Sequence, residues 1–194
     1  MNIRRLIYRM KRCVCNLIGP RMVYGYVRAD GSFLNKTRVS SSTVFFAEEL
    51  VGIENNVFIG HFSVLDATFG LKIEEGCQIG FFNGIFTHSS HDAIRLYGDK
   101  FMDEENKLVY HTGPVHIGAY SFLGAHVTVL PGTRIGRGCV VSAYSLLKGD
   151  YPDGAIIEGN PAKVVGWTEK RDARWLEKYP ELAKSYYLNK ERAG

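Results

Sequence analysis

The sequence predicts an all-β fold, a parallel β-helix whose short strands turn a corner every six residues. Three observations predict it. An aliphatic residue returns at every sixth position through Ile117, Leu123, Val129, Ile135, Val141 and Leu147. The same beat runs upstream through Ile53, Ile59 and Leu65, then through Ile73, Ile79 and Ile85. Four places after these residues the slot is compact: Val57, Ser63, Cys77, Asn83, Ser121, Val127, Thr133, Cys139 and Ser145. An α-helix would repeat at three and four, and a simple strand at two, so neither explains a period of six. Three six-residue strands make a triangular coil of about eighteen residues, and stacked coils share one apolar column. The chain has room for about four to six coils.

The elements follow in order. Residues 1–21 are read as a basic amphipathic helix. Ile3, Leu6, Ile7, Met10, Val14, Leu17 and Ile18 share one helical face, and Arg4, Arg5, Arg9, Lys11 and Arg12 lie opposite. The apolar run is too interrupted for a signal peptide or a membrane span. Two readings stand: a helix packed on neighbouring copies, or a peripheral membrane contact through residues 1–18 on an anionic surface. Residues 22–167 form the β-helix domain. Its first part, 22–50, is irregular strand with Ala47 in the aliphatic slot. Two extra residues near Phe69-Gly70 interrupt the beat, and a polar excursion, 89–113, interrupts it again. Residues 168–194 read as a helical tail, with Thr168 capping a helix to about Lys178 and Pro180 opening a second that ends near Lys190.

The chain is long enough for one domain with its own core. Its net charge is +4, but six cations and no acid fall in the first 21 residues, so the remainder is mildly acidic. A basic face running through the domain is missing, which argues against nucleic-acid binding. Cys77 and Cys139 occupy compact corner slots and read as buried hydrophobes. Cys13 and Cys15 are too few for a zinc site, and the cysteine usage suits a reducing compartment, the cytoplasm.

A long excursion inside a compact domain is commonly functional. This one is fenced by His88 and His91 at its start and His111 at its end. Histidine exchanges protons near neutral pH, so His88 and His91 are the candidate bases, in Thr87-His88-Ser89-Ser90-His91-Asp92.

The repeat over about residues 50–167 resembles the hexapeptide-repeat acyltransferases, and the histidine segment is similar to that of the maltose, galactoside and polysaccharide sugar O-acetyltransferases. That resemblance implies a left-handed β-helix, a homotrimer with three sites between copies, and acetyl-CoA as co-substrate with no metal. It also implies a sugar acceptor, a surface-polysaccharide or glycan precursor. Relatives place one residue between the two histidines and this chain places two, so both are retained, with preference for His91. The backbone N–H of Ala125, after Gly124, takes the oxyanion role, and Ala143 with Ser145 takes the pantetheine arm. Lys148 and Lys163 take the nucleotide end. His61, Asp92 and Tyr97 are the acceptor candidates, with Phe81, Phe82 and Tyr110 shaping the pocket. Asp92 is also placed to orient an imidazole. Two alternatives stay open: N-acetylation of an amino sugar, and a metalloenzyme resembling the γ-type carbonic anhydrases, with His88, His111 and His116 as ligands.

Overall fold

The structure is a computed structural model that describes residues 3–187. A three-faced prism of stacked coils fills its centre. Face I carries six parallel strands: Phe33–Ser40, Phe58–Ile59, Gln78–Ile79, Phe122–Leu123, Val140–Val141 and Ala155–Gly159. Face II carries Val44–Phe46, Val64–Asp66, Gly84–Ile85, Thr128–Val129 and Leu146–Leu147. Face III carries Val51–Ile53, Leu71–Ile73, Val115–Ile117, Arg134–Ile135 and Asp150–Tyr151. Neighbouring strands pair in register, so Ile59, Ile79, Leu123, Val141 and Ile157 stand directly above one another.

All twelve aliphatic residues of the beat are at most 1% exposed, and they form the core column. Cys77 and Cys139 are free, buried thiols beside it, and burial pushes them up to about 12 and about 11. Thiols held so far above neutral pH are not nucleophiles.

Every departure from six falls on one edge, where face II turns to face III. Coil one has a 3₁₀ turn there, Glu48–Leu50. Coil two has the Ala67-to-Gly70 turn, closed by the Gly70 N–H on the Ala67 carbonyl at 2.8 Å. Coil three releases the excursion between Ile85 and Val115. Ala47 sits on this edge with φ +51, and Phe45 packs against the core in its coil, so the aliphatic slot is Phe45's and not Ala47's.

The prism is finished at both ends. Residues 22–50 open with an antiparallel hairpin, β1 (Met22–Val27) and β2 (Phe33–Ser40), that extends face I. Helix α1 (Ile3–Ile18) covers the column below it, setting Tyr8 edge-on to Tyr26 at 5.5 Å. At the other end the strand Ala162–Trp167 folds back on Ala155–Gly159. Helix Thr168–Lys178 follows, but Thr168 is not its cap. The Thr168 hydroxyl is buried and donates to the Gly154 carbonyl, with the Tyr187 hydroxyl at 3.0 Å. From Pro180 the chain makes a 3₁₀ turn to Lys184 and no second α-helix there. The expected end near Lys190 lies outside the described residues.

Candidate active site

The edge between faces I and II keeps the six-residue spacing through coils two to five, and its corners stack. Phe62, Phe82, His126 and Tyr144 occupy equivalent corners in the left-handed backbone region, with φ from +58 to +62. That conformation is costly for a side chain larger than glycine. Here each ring lies parallel to the next, with centroids 5.1, 4.8 and 4.8 Å apart. Such contacts contribute about 0.5–1.5 kcal/mol each and offset part of the backbone strain.

Beside this ladder lie the predicted donor and arm residues. A Cβ on Gly124 would meet the Ala143 backbone nitrogen at 2.7 Å, so the fourth and fifth coils approach closely only with glycine there. Ala125, half-buried, accepts at its carbonyl from the Tyr144 N–H, while its own N–H takes no partner among the described residues. The N–H groups of Ala119 and Arg137, at equivalent places on the third edge, are taken by Glu74 and Asp153. An N–H left open on a corner can receive an oxyanion. Ala143 stands exposed one coil on, followed by the Gly159-to-Lys163 turn with Lys163 exposed. Ser145 does not offer its hydroxyl to an arm: it is buried, donates to the Ser142 carbonyl and accepts from the Gly159 N–H. His61, on the same edge, stacks on Phe81 at 5.6 Å and holds Nδ1 2.6 Å from the Ser40 hydroxyl.

The edge between faces II and III carries His88, His91 and His111 with Asp66 and Asp92. His88 opens a small antiparallel pair, His88–Ser89 with His111–Thr112. Its Nδ1 lies 2.8 Å from Asp66 Oδ2 but off the N–H direction, an electrostatic contact and not an aligned hydrogen bond. Phe69 and Tyr110 wall the ring, at 6.0 and 5.7 Å. Burial alone would raise the Asp66 carboxyl. Hydrogen bonds from the backbone and hydroxyls of Thr68 and Thr87 outweigh it and hold the group well below the usual carboxylate range. The result is a fixed buried anion behind one imidazole nitrogen. Sequence reasoning missed Asp66. The available signal was an acid directly after Leu65, next to the two-residue insertion.

His91 is placed less favourably. Its ring is exposed, stacks on His111 at 4.6 Å, and holds Nδ1 2.8 Å from the Ser89 hydroxyl. Asp92 orients His111, at 2.6 Å, more closely than His91, at 3.5 Å. The His111 hydrogen bond, with help from Arg95, holds the Asp92 carboxyl below its ordinary value against the opposing effect of desolvation. Tyr97 braces the excursion, its hydroxyl accepting the Leu108 N–H at 2.9 Å. Lys148 is exposed at this edge, away from the strip of Ala125 and Ala143.

The carbonic-anhydrase-like trio does not gather within one chain. His116 projects from face III with Nε2 2.9 Å from Glu74. Burial opposes ionisation of Glu74, but Lys72, His116 and the Ala119 N–H bring its carboxyl down to about 2. Among the described residues the three groups close enough to share a metal are His91, Asp92 and His111. The two imidazoles are nearly parallel, 7° between planes, so their in-plane lone pairs do not converge on one point.

Comparison with known proteins identifies the repeat. Residues 114–149 match the family described as bacterial transferase hexapeptide (six repeats). The matched stretch is 36 of the 194 residues. The chain is similar to the "Putative acetyltransferase YvoF" of Bacillus subtilis (strain 168), 45% identical over 65 residues, or 34% of this chain and 38% of that one. The match therefore spans well under half of that relative's length.

Three solved structures share the fold. The Vibrio cholerae hexapeptide-repeat acetyltransferase VCA0836, complexed with acetyl coenzyme A, aligns with TM-score 0.56 at 20% identity over 64% of each chain. A maltose O-acetyltransferase from Clostridium difficile 630 aligns at 0.55 and 20%, over 64% of this chain and 63% of that one. AntD, an N-acyltransferase from Bacillus cereus in complex with dTDP and 3-hydroxybutyryl-CoA, aligns at 0.59 and 17%, over 77% and 89%. At these identities the likeness is one of fold: the left-handed parallel β-helix that the resemblance of the repeat implies.

Proposed function

We propose that this chain is an acetyl-CoA-dependent O-acetyltransferase acting on a sugar hydroxyl, with its sites between copies of a homotrimer. The observation that carries the reading is the buried Asp66 anion 2.8 Å behind His88, where the repeat breaks. It favours His88 over His91 as the base. With one imidazole nitrogen facing Asp66, the other is available to the acceptor. Within one chain His88 and Ala125 lie on different edges, a face apart, so a second copy must bring its Ala125 edge to the His88 edge. Threefold closure provides three equivalent grooves.

In the reaction His88 takes the acceptor hydroxyl proton as the oxygen attacks the thioester carbonyl. A C–O bond forms, and the Ala125 N–H receives the oxyanion. Collapse breaks the C–S bond, and the imidazolium returns its proton to the departing coenzyme A thiolate. Asp66 stabilises the imidazolium between the two steps. The strip of Ala143 and the Gly159-to-Lys163 turn accommodates the coenzyme, and His61 with Phe81 faces the sugar. A cytoplasmic glycan precursor, as in polysaccharide synthesis, fits this co-substrate. The names of the similar proteins support acetyl transfer from acetyl-CoA, and the maltose enzyme supports a hydroxyl acceptor.

Steady-state turnover of an acetylated sugar tests the reading. His88→Ala is expected to lose about a hundredfold or more in kcat, with acetyl-CoA binding by calorimetry retained and His91→Ala within about tenfold of the parent. Near-full turnover in His88→Ala would overturn the proposed base. A preference for amino sugars over their hydroxyl counterparts would move the reaction to N-acetylation.

A further inference from the structure

The N-terminal helix is mounted with its apolar stripe facing outward. Tyr8 is its one buried residue; Arg5, Arg12 and Cys15 are the half-buried ones. Arg12 lies over the Phe45 ring at 5.1 Å and within 3.4 Å of Glu48, which Arg5 also approaches at 4.0 Å. These contacts fix which side of the helix meets the prism. They leave Ile3, Ile7, Met10, Val14 and Leu17 on the opposite side, 55–87% exposed and spaced at i, i+4, i+7, i+11 and i+14. On a helical wheel Lys11 borders one side of this stripe and Arg9 the other, both exposed. The usual amphipathic helix of a folded domain does the reverse and buries its apolar face.

We infer that α1 is a docking helix for an anionic lipid surface, lying in the headgroup region with this stripe inserted. Charge selects that occupant. The first 21 residues contain no acid, and Glu48, a carboxylate that the helix reaches, is engaged by Arg5 and Arg12. A second copy of the helix would bring Arg9 and Lys11 against identical cations. A leaflet of anionic headgroups offers apolar depth under the stripe and opposite charge along its margins. The geometry also sets the mounting. Tyr26 and Phe45, which α1 covers, belong to the axial column, so the bilayer lies across the first-coil end of the prism. The edges carrying His88 and Ala125 then run away from the surface. No helix of the described residues is long and apolar enough to cross a membrane, so the contact is peripheral.

Vesicle flotation of the full chain tests this independently of acetyl transfer. The protein is expected to float with phosphatidylglycerol–phosphatidylcholine vesicles and to remain in solution with phosphatidylcholine alone. Binding should weaken when salt rises from about 0.1 M to about 1 M, as the screening length contracts from about 10 Å to about 3 Å. The double substitution Ile7→Glu, Val14→Glu lies on the outward side and is expected to reduce flotation at least tenfold, with the thermal midpoint and the mass by light scattering unchanged. No flotation with phosphatidylglycerol would overturn the inference. So would equal flotation of parent and double variant. A drop in oligomer mass in the double variant, without vesicle binding by the parent, would assign the stripe to a second copy and overturn it as well.

Discussion

Two edges of one prism differ in whether they keep the repeat. Between faces I and II the corners keep the six-residue spacing, so equivalent residues of successive coils stack, as Phe62, Phe82, His126 and Tyr144 do. Between faces II and III the spacing changes in coils one, two, three and five, and there the chain places His88 against Asp66. The regular edge carries an aromatic ladder with the small residues Ala125 and Ala143 beside it, the strip to which the proposed function assigns the thioester arm. The irregular edge frees the chain from the lattice and sets His88 beside the buried Asp66 carboxylate.

The comparison is broken most severely by removing the open donor from the regular edge. Ala125 itself lies outside the left-handed region and precedes His126 at φ +58, a turn position that accepts proline. Ala125→Pro is expected to lower kcat by about a hundred- to a thousandfold, the loss typical of one oxyanion donor, with little change in thermal midpoint. Ala125→Ser, which keeps the N–H, should stay within about twofold of the parent, against that same scale. Equal activity of the two variants would remove the backbone donor from the mechanism.

A smaller effect is expected at the irregular edge from Asp66→Asn. The amide places donors where Thr68 and Thr87 already donate, which costs about 1–3 kcal/mol by urea unfolding at neutral pH. The folded carboxyl is depressed below its ordinary 3.8, so its contribution is fully present above that pH and is lost as pH falls below it. The parent and the variant should therefore converge in stability as the solution is acidified. A difference that persists unchanged at low pH would show that the Asp66 charge is not what matters. The smallest effect is expected in the ladder. His126→Asn removes two stacked contacts but suits a left-handed corner, and these opposing effects should leave a change under about 1 kcal/mol. A loss of several kcal/mol would mean that the stack, and not the core column, holds the coils in register.

Much of this was legible in one dimension. The beat named the core residues, the buried cysteines and the place where the chain leaves the lattice, because a side chain's inward or outward aspect follows from its position in a six-residue turn. The candidate site was legible in outline only. Spacing retained both His88 and His91, with preference for His91, and they part company because Asp66, 22 residues before His88, stands one coil away on the same edge. Ser145 and Tyr97 were legible as residue types but not as partners. Their hydroxyls are engaged by Gly159, 14 positions on, and Leu108, 11 positions on.

The sequence by itself determined the period, the core column and the amphipathic character of the first helix, since each depends on local backbone geometry repeated along the chain. Tertiary structure decided which edge each irregularity joins, which histidine has an anion behind it, and which way α1 faces. Those outcomes depend on contacts between successive coils, such as Asp66 with Thr87 and Arg12 with Glu48. The energies of such contacts are set by burial and geometry that no spacing along the chain encodes.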